Sequence, residues 1–240
     1  MLAAAVSLLW PQNSQQLVDT QAAMPALLVR GAADERMQEE LFAALTAVVR
    51  EQPQKPSRSS ATPLCVFRHP YSDQTNADAK PQAVFDWAHG LAAHVAYELR
   101  QRKGEALAGA ADAIDHAKYD SLVSVCYARE GTLPTHVDKG LSGYGLALSL
   151  GAACQFDYGG SQVELHSGDA LFADFSRIQH SVLATRSVEA TAPTWWGHAD
   201  VERRYGAARC SVQLRDRVWS LKPSMERPGT FTRRTVRRPT

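Results

Sequence analysis

Residues 154–183, CQFDYGGSQVELHSGDALFADFSRIQHSVL, contain the pattern that decides the fold. Short runs of apolar and β-branched residues follow one another here, separated by glycine, serine and aspartate, which favour turns. Similar runs lie on both sides: SLVSVCY, TLPTHV and GLALSL before this stretch, and RCSVQLR after it. Short strands at this spacing, eight in all, predict an all-β sandwich or jelly roll.

Two amphipathic helices precede the predicted strands. Residues 34–52 and 81–100 each repeat apolar side chains at helical spacing, and residues 50–63 form a polar loop rich in proline and serine. We expect the helices to pack on one sheet. Their apolar positions are Met37, Leu41, Leu45 and Val48 in the first helix and Val84, Trp87, Leu91 and Val95 in the second.

The composition indicates one globular domain and does not demand a polyanionic partner. The chain has 240 residues, 45% of them hydrophobic, and a formal net charge of +1. Its four cysteines form no CxxC pair, which fits a reducing compartment. No run reaches the roughly 18 apolar residues of a membrane span. We therefore expect a monomeric intracellular protein, cytoplasmic or nuclear with mitochondria left open, that does not enter a membrane.

The chain is divided into three segments. Residues 31–220 are expected to form the domain, and residues 1–30 are left unassigned. Residues 221–240 end in RRTVRRPT and are expected to be a basic, disordered tail, with nucleic-acid contact as the alternative.

A candidate metal site begins in GTLPTHVDKG, residues 131–140. His136 and Asp138 are two residues apart, so on a strand both point to the same face. Two histidines and one carboxylate on one face of an octahedron hold non-haem Fe(II) and leave the other positions open. His180, in a late apolar strand, is the best-placed third ligand, although a lone strand histidine is more often a core residue.

Two arginines suggest the cosubstrate. Arg209 and Arg215 lie six residues apart in RCSVQLR, which places both on the same face of a strand. Inward arginines in an apolar strand are costly unless an anion neutralises them. A dicarboxylate does this well, because guanidinium binds carboxylate through charge-assisted, bidentate hydrogen bonds. Together with iron, these arginines predict 2-oxoglutarate, with O2 as the second cosubstrate.

These residues resemble the AlkB family of Fe(II)/2-oxoglutarate-dependent dioxygenases over roughly residues 65–217. CYAREGTLPTHVDKG is similar to the family pattern RYxxGxxLxxHxDKxE, and LSLGAACQFDYGG to VSLGxxxxFxFGG. LHSGDALFADFSRIQHSV resembles LxHGDVxVxxGxSRxxxHGI, and RCSVQLR resembles RxNLTFR. The resemblance implies a mostly β fold, the double-stranded β-helix or cupin-like jelly roll, with N-terminal helices packed on one sheet.

The resemblance also implies an activity and residue roles. Such enzymes use O2 to oxidise a C–H bond, often of an N-methyl group, while 2-oxoglutarate becomes succinate. The implied reaction is therefore oxidative demethylation of alkylated DNA or RNA bases. The implied site consists of His136, Asp138 and His180 on iron, Arg209 on the distal carboxylate of 2-oxoglutarate with help from Tyr127, and Arg215 near the metal-bound end.

Several positions depart from the family pattern and concern the substrate. Gly140 and Leu141 stand where nucleic-acid demethylases of the family commonly carry acidic residues, and Val125 stands where the family often has asparagine. Phe67 and Tyr71 are the available aromatic residues for stacking on a base. The alternatives are the same chemistry on a protein or small-molecule substrate, or a non-catalytic jelly-roll binding module.

Residues 186–206 form a longer connection than is usual in the family. Trp195 and Trp196 within it would stack on a base, grip a protein, or cover the hydrophobic edge of the barrel. His198 is interpreted as a surface residue and His166 as a turn residue. Single-stranded DNA or RNA is the favoured partner, because flipping a base out costs less there than in a duplex.

Overall fold

The computed structural model describes residues 15–19, 26–69, 75–102 and 104–217. Tyr71 and the basic tail from residue 221 lie outside the described residues. The strands, in chain order, are β1 (Gln15–Asp19), β2 (Ala26–Val29), β3 (Thr62–Arg68), β4 (Ser121–Tyr127), β5 (Leu133–His136), β6 (Leu141–Gly151), β7 (Cys154–Tyr158), β8 (Ser161–Leu165), β9 (Ala170–Ala173), β10 (His180–Thr185) and β11 (Arg209–Arg217). The helices are α1 (Glu35–Ala47), α2 (Gln82–Gln101), α3 (Glu105–Asp115), α4 (Val188–Thr191), α5 (Thr194–His198) and α6 (Val201–Tyr205).

The strands of the described residues form two sheets. The large sheet has the order β1-β2-β9-β6-β11-β4-β3, and the small sheet has the order β5-β10-β7-β8. Neighbouring strands are antiparallel in both sheets. Each of the eight predicted runs overlaps one of these strands, so the prediction of a mostly β jelly roll is confirmed.

A helical layer covers the outer face of the large sheet. Alternate residues of β11, including Cys210 and Val212, face outward into a core shared with the buried stripe of α2, which includes Val84 and Leu91. Burying such side chains is worth about 1.5–3 kcal/mol each. Both predicted helices are present, and the expectation that they pack on one sheet is confirmed. No helix among the described residues is long and apolar enough to cross a membrane.

Three strands of the large sheet were not predicted. β1 and β2 precede the expected domain boundary at residue 31, yet β2 pairs with β9, so the sheet begins before that boundary. β3 contains Pro63, which argues against a central strand because proline cannot donate to the ladder. The structure resolves this conflict by placing β3 at the edge, paired with β4.

A second core lies between the two sheets. It contains large side chains from both sheets, such as Tyr127, Phe156 and Phe175. Three adjacent strands of the large sheet, β6, β11 and β4, turn alternate residues toward this space. These inward positions build the candidate site.

Candidate metal centre

The structure brings His136, Asp138 and His180 together. His136 ends β5 and His180 begins β10, and the two are direct partners in the antiparallel ladder. Their Nε2 atoms lie 3.6 Å and 3.7 Å from the same Asp138 oxygen, Oδ1. One ligand atom from each of the three residues lies within 4.8 Å of the other two. This spacing fits three donors on one face of a single cation.

Backbone contacts fix how the two imidazoles present their nitrogens. The Nδ1 of His136 lies 2.8 Å from the carbonyl oxygen of Pro134, and the Nδ1 of His180 lies 3.1 Å from that of Ile178. Since a carbonyl only accepts, Nδ1 carries the proton and Nε2 keeps its lone pair, as metal-binding histidines require. Burial lowers the pKa of His180 to about 4, so its ring is neutral near neutral pH.

Asp138 is held by Arg215. The Nε of Arg215 donates to Asp138 Oδ2 at 2.8 Å, and its Nη1 donates to the Leu146 carbonyl at 2.8 Å. The guanidinium also lies 3.8 Å from the centroid of the Phe175 ring, a cation–π contact. The carboxylate therefore turns its other oxygen, Oδ1, toward the histidines. Arg215 lies at the metal end, but the anion that neutralises it is Asp138, where the sequence analysis expected a bound dicarboxylate.

Gly145 provides the space that Arg215 occupies, and its replacement gives a first prediction. A Cβ at Gly145 would lie 2.5 Å from Arg215 Cδ and 2.8 Å from its Nε. Gly145→Ala is expected to displace Arg215 from Asp138, to lower the free energy of unfolding by about 1–3 kcal/mol and to weaken divalent metal binding. Chemical denaturation and Co(II) titration measure these two effects.

Gly90→Ala is the matched control for that variant. Gly90 lies in α2 with open space around its Cβ position. Alanine is expected to raise helix stability there by up to about 1 kcal/mol and to leave metal binding unchanged. Equal losses in the two variants would contradict the role assigned to Gly145.

Arg209, unlike Arg215, has no carboxylate partner among the described residues. Its side chain is 2% exposed, and its Nε and Nη1 atoms have no hydrogen-bond partner among the described residues. The guanidinium carbon lies 5.0 Å from the centroid of the Tyr127 ring. Burial raises the pKa of Tyr127 to about 12, so its hydroxyl stays protonated and can donate. A buried cation with unpaired hydrogen-bond donors is energetically unfavourable unless an anion neutralises it.

One cavity joins Arg209 to the metal centre. Arg209 and Arg215 both line it, as the two-residue alternation of a strand predicts, and so does His180. The two arginines are six residues apart on β11, about 20 Å along the strand between their Cα atoms. The inward positions between them form rungs across β6, β11 and β4: Gly151–Arg209–Tyr127, Ser149–Ser211–Val125 and Ala147–Gln213–Val123.

The residues present fit Fe(II) at one end of the cavity and a carboxylate at the other. Two neutral imidazole nitrogens and one carboxylate oxygen are the donor set of non-haem Fe(II). The orphaned guanidinium of Arg209 is a bidentate carboxylate ligand by geometry and charge. Residues at both ends were predicted from the sequence, whereas Ser149, whose unpartnered hydroxyl lines the same cavity, was not.

The two tryptophans of residues 186–206 lie in the core. Trp195 and Trp196 are 4% and 1% exposed, and both contact the ring of Phe42 from α1. Their indole nitrogens donate to Gln38 Oε1 and to the Ala207 carbonyl, each at 3.2 Å. Rings buried in this way are not available to stack on a base. They cover the edge of the barrel, which was one of the three alternatives.

The other proposed aromatic contact lies on the helical side of the sheet. Phe67 is half-buried and meets Phe85 of α2 edge to face, with 5.6 Å between ring centroids. It therefore does not enter the cavity that holds the metal centre. His166 and His198 are exposed, in agreement with their interpretation as turn and surface residues.

Comparison with known proteins supports this fold. The chain is similar to the structure of OsALKBH1, with a TM-score of 0.58 and 16% identity over 80% of this chain and 97% of that chain. A prolyl-4-hydroxylase from Pseudomonas putida aligns with a TM-score of 0.46 and 12% identity over 84% of this chain and 97% of that chain. The likeness to OsALKBH1 shows that the chain has an AlkB-type fold, as the resemblance predicted.

Sequence comparison adds one short match. A probable lanosterol 14-alpha demethylase from Acanthamoeba polyphaga mimivirus is 40% identical over 63 residues. The match spans 26% of this chain and only 9% of that protein, so it assigns no activity. No family model matches the chain.

Proposed function

We propose that this chain is an AlkB-like Fe(II)/2-oxoglutarate-dependent dioxygenase that oxidatively demethylates alkylated bases in single-stranded DNA or RNA. The observation that carries the proposal is a single cavity lined both by His180, one of the three clustered metal ligands, and by the buried Arg209, whose Nε and Nη1 have no partner among the described residues. A jelly-roll module with an idle site would have no physical reason to keep a costly buried cation without a partner.

The residues around the metal would each have a defined task. His136, Asp138 and His180 would hold Fe(II), and Arg215 would keep the Asp138 carboxylate oriented. When bound, Fe(II) and 2-oxoglutarate supply the oxidation of a C–H bond by O2. The protein's contribution is to position the ligands and to exclude water with the apolar wall of the second core.

Arg209 and Tyr127 would bind the cosubstrate. Arg209 would pair with the carboxylate far from the metal through its unused Nε and Nη1 donors. Tyr127 is the direct partner of Arg209 across the β11–β4 ladder, and its protonated hydroxyl would donate to the same carboxylate. This arrangement selects a dicarboxylate of fixed length, since the opposite end of the molecule must reach the metal.

A nucleic-acid substrate is supported by the charge at the metal end of the sheet. Ser121 pairs with both Arg215 and Arg68, so the C-terminal end of β3 lies at the level of the metal centre. Burial and the neighbouring guanidinium of Arg217 lower the pKa of Arg68, which means that two cations are held close together. Lys139 directly follows the ligand Asp138 and is an exposed cation beside the metal centre. Phosphates of a nucleic-acid strand would be attracted to positive charge at this position.

Formaldehyde release tests the substrate. Oligonucleotides carrying N-methylated bases and peptides carrying N-methylated side chains are incubated in parallel with Fe(II), 2-oxoglutarate and O2. We expect formaldehyde from the oligonucleotides, more from single strands than from duplexes because the base is already unpaired. Release from the peptides alone would overturn the nucleic-acid assignment and leave the oxygenase chemistry in place.

The second candidate keeps the chemistry and changes the substrate. Gly140 and Leu141 follow the metal ligand Asp138 directly, and neither carries a charge or a side-chain hydrogen-bonding group. Such neutral positions favour a protein side chain or a small molecule over a base read by its polar edge. The peptide arm of the formaldehyde assay decides between the two candidates.

A further inference from the structure

A second cavity, called the outer cleft, lies at the metal end of the large sheet but on its helical side. Its lining comes from the end of β3, from the segment that leads into β4 and from the start of α2. Ser121 directly follows this lining and pairs with Arg215, so only the thickness of the sheet separates the outer cleft from the metal centre. The lining residues are Phe67, His69, Lys80, Lys118, Tyr119 and Asp120.

The wall of the outer cleft is aromatic and contains an unused donor. Phe67 is half-buried, and Tyr119 is 1% exposed with a hydroxyl that has no hydrogen-bond partner among the described residues. Tyr119 adopts the left-handed backbone conformation, with φ of 47°, which is unfavourable for a bulky residue. Asp216 holds it there by accepting from the Tyr119 N–H at 2.6 Å. Strain that the surroundings maintain in this way concentrates at binding sites.

The rim of the outer cleft is cationic. Lys80 and Lys118 are exposed around it and supply its positive charge, and His69 is an exposed neighbour. Asp120 is the acidic lining residue and accepts from the backbone N–H of Arg217 at 2.8 Å, so the lining carries two lysines against one carboxylate. An aromatic wall beneath cationic side chains is the combination by which proteins bind single-stranded nucleic acid: bases stack on rings while phosphates meet lysine and arginine.

We propose that the outer cleft binds a nucleotide that flanks the target base, with its base against Phe67 and its phosphate at the lysine rim. This inference rests on the proposed function, because it takes the strand that enters the metal site as its occupant. A strand crossing the edge at β3 would place one base in the inner cavity and a neighbour in the outer cleft. The cleft then provides affinity for the strand without contacting the reacting base.

Fluorescence anisotropy of labelled single-stranded oligonucleotides on the metal-free protein tests the outer cleft. Phe67→Ala is expected to weaken binding about 5- to 150-fold, the range for loss of one stacked base. Phe67→Leu keeps the apolar packing against α2 and removes the ring, so it separates stacking from folding. Lys118→Ala is expected to lower the slope of log affinity against log salt by about 1.

Lys55→Ala is the matched control, because Lys55 is also an exposed lysine. Its Nζ donates to the Arg203 carbonyl, and neither residue lines the outer cleft. An affinity of Phe67→Leu within twofold of the unchanged protein, or an equal loss in Lys55→Ala, would overturn the inference. If the inference is overturned in this way but oligonucleotides are still demethylated, the proposed function stands without the outer cleft. If the unchanged protein binds no oligonucleotide, both fail.

A different observation concerns Ser149, inside the barrel. Its side chain is 1% exposed, its hydroxyl has no partner among the described residues, and it lines the cavity beside Arg209. Gly151 pairs with Arg209 and Ser149 pairs with Ser211, so Ser149 is one rung from Arg209 on the same face. Diagonal neighbours of this kind have Cβ atoms about 7–8 Å apart, within reach of one shared carboxylate.

The geometry points to Ser149 as a positioning residue that donates to the carboxylate paired with Arg209, an assignment that also rests on the proposed function. Removing one hydrogen bond to a charged group is expected to weaken dicarboxylate binding about tenfold. Calorimetric titration of succinate into metal-free Ser149→Ala measures this directly. In turnover, KM for 2-oxoglutarate should rise by the same factor while kcat stays constant.

Ser181→Ala is the control for Ser149→Ala. Ser181 is likewise 2% exposed with an unpartnered hydroxyl among the described residues, but it does not line the cavity. Succinate affinity within twofold of the unchanged protein in Ser149→Ala, or the same loss in Ser181→Ala, would overturn the assignment. If Arg209→Met also binds succinate normally, the proposed function fails with it.

Discussion

Replacing His180 with alanine is expected to abolish 2-oxoglutarate-dependent O2 consumption. Its Nε2 and the Nε2 of His136 flank the same Asp138 oxygen, so one of three donors disappears. Loss of a residue that merely orients a metal ligand costs about 10- to 100-fold in affinity or activity, and loss of the ligand itself should exceed that range. Oxygen-electrode rates and anaerobic Fe(II) titration, read from the visible charge-transfer band with 2-oxoglutarate, measure both consequences.

The control for this variant is His166→Ala. His166 is exposed and lies 3.4 Å from Glu164, so it offers an imidazole near a carboxylate without belonging to the centre. It should consume O2 at the rate of the unchanged protein. A His180→Ala protein that is folded, binds Fe(II) normally and turns over 2-oxoglutarate would remove the basis of the metal assignment.

The sequence predicts the metal centre well because its ligands obey local rules. His136 and Asp138 are two apart at a strand end, and His180 opens a later strand whose pairing with β5 brings it opposite His136. The strands themselves follow from alternation and turn residues, which are local signals. Long-range pairing was needed only to choose one histidine, and the late apolar strand around His180 indicated that choice before the family pattern agreed with it.

Features that depend on tertiary contacts were harder to predict. Arg209 and Arg215 look equivalent in the sequence, yet one finds Asp138 and the other finds no anion among the described residues. Trp195 and Trp196 occur in a polar connection, and only the position of α1 determines that they are buried. β3 was missed because Pro63 opposes a strand unless the strand is at an edge, and edge position is a property of the whole sheet.

The α3 helix was also difficult to predict from the sequence, because its pattern of apolar residues is weak. Its sequence, EALAGAADAID, is rich in alanine and contains a glycine, so its apolar face is shallow and short. The helix is stabilised by packing on α2, where Ala110, Ala111 and Ile114 are buried. Small side chains that permit close approach give a weak periodic signal, although they suit a helix–helix contact.

Replacing Arg209 with methionine is expected to stabilise the free protein and to weaken its binding of 2-oxoglutarate. In the free protein the guanidinium is buried with unused donors, so an apolar side chain of similar volume should stabilise the fold by about 1–4 kcal/mol. The carboxylate that Arg209 would pair with loses its partner, which should raise the 2-oxoglutarate requirement at least about 30-fold. Thermal denaturation with and without 2-oxoglutarate measures both effects.

Arg215→Met is the comparison variant for Arg209→Met, because Arg215 already pairs with the carboxylate of Asp138. Without Arg215, Asp138 is a mostly buried carboxylate that has lost its partner at 2.8 Å. Arg215→Met should therefore lower the free energy of unfolding by about 3–5 kcal/mol, whereas Arg209→Met should raise it. The opposite signs follow only if one arginine is satisfied by the protein and the other awaits a ligand. An Arg209→Met protein that is less stable than the unchanged protein, or that is still stabilised by 2-oxoglutarate, would show that its guanidinium has a structural partner and is not the cosubstrate site.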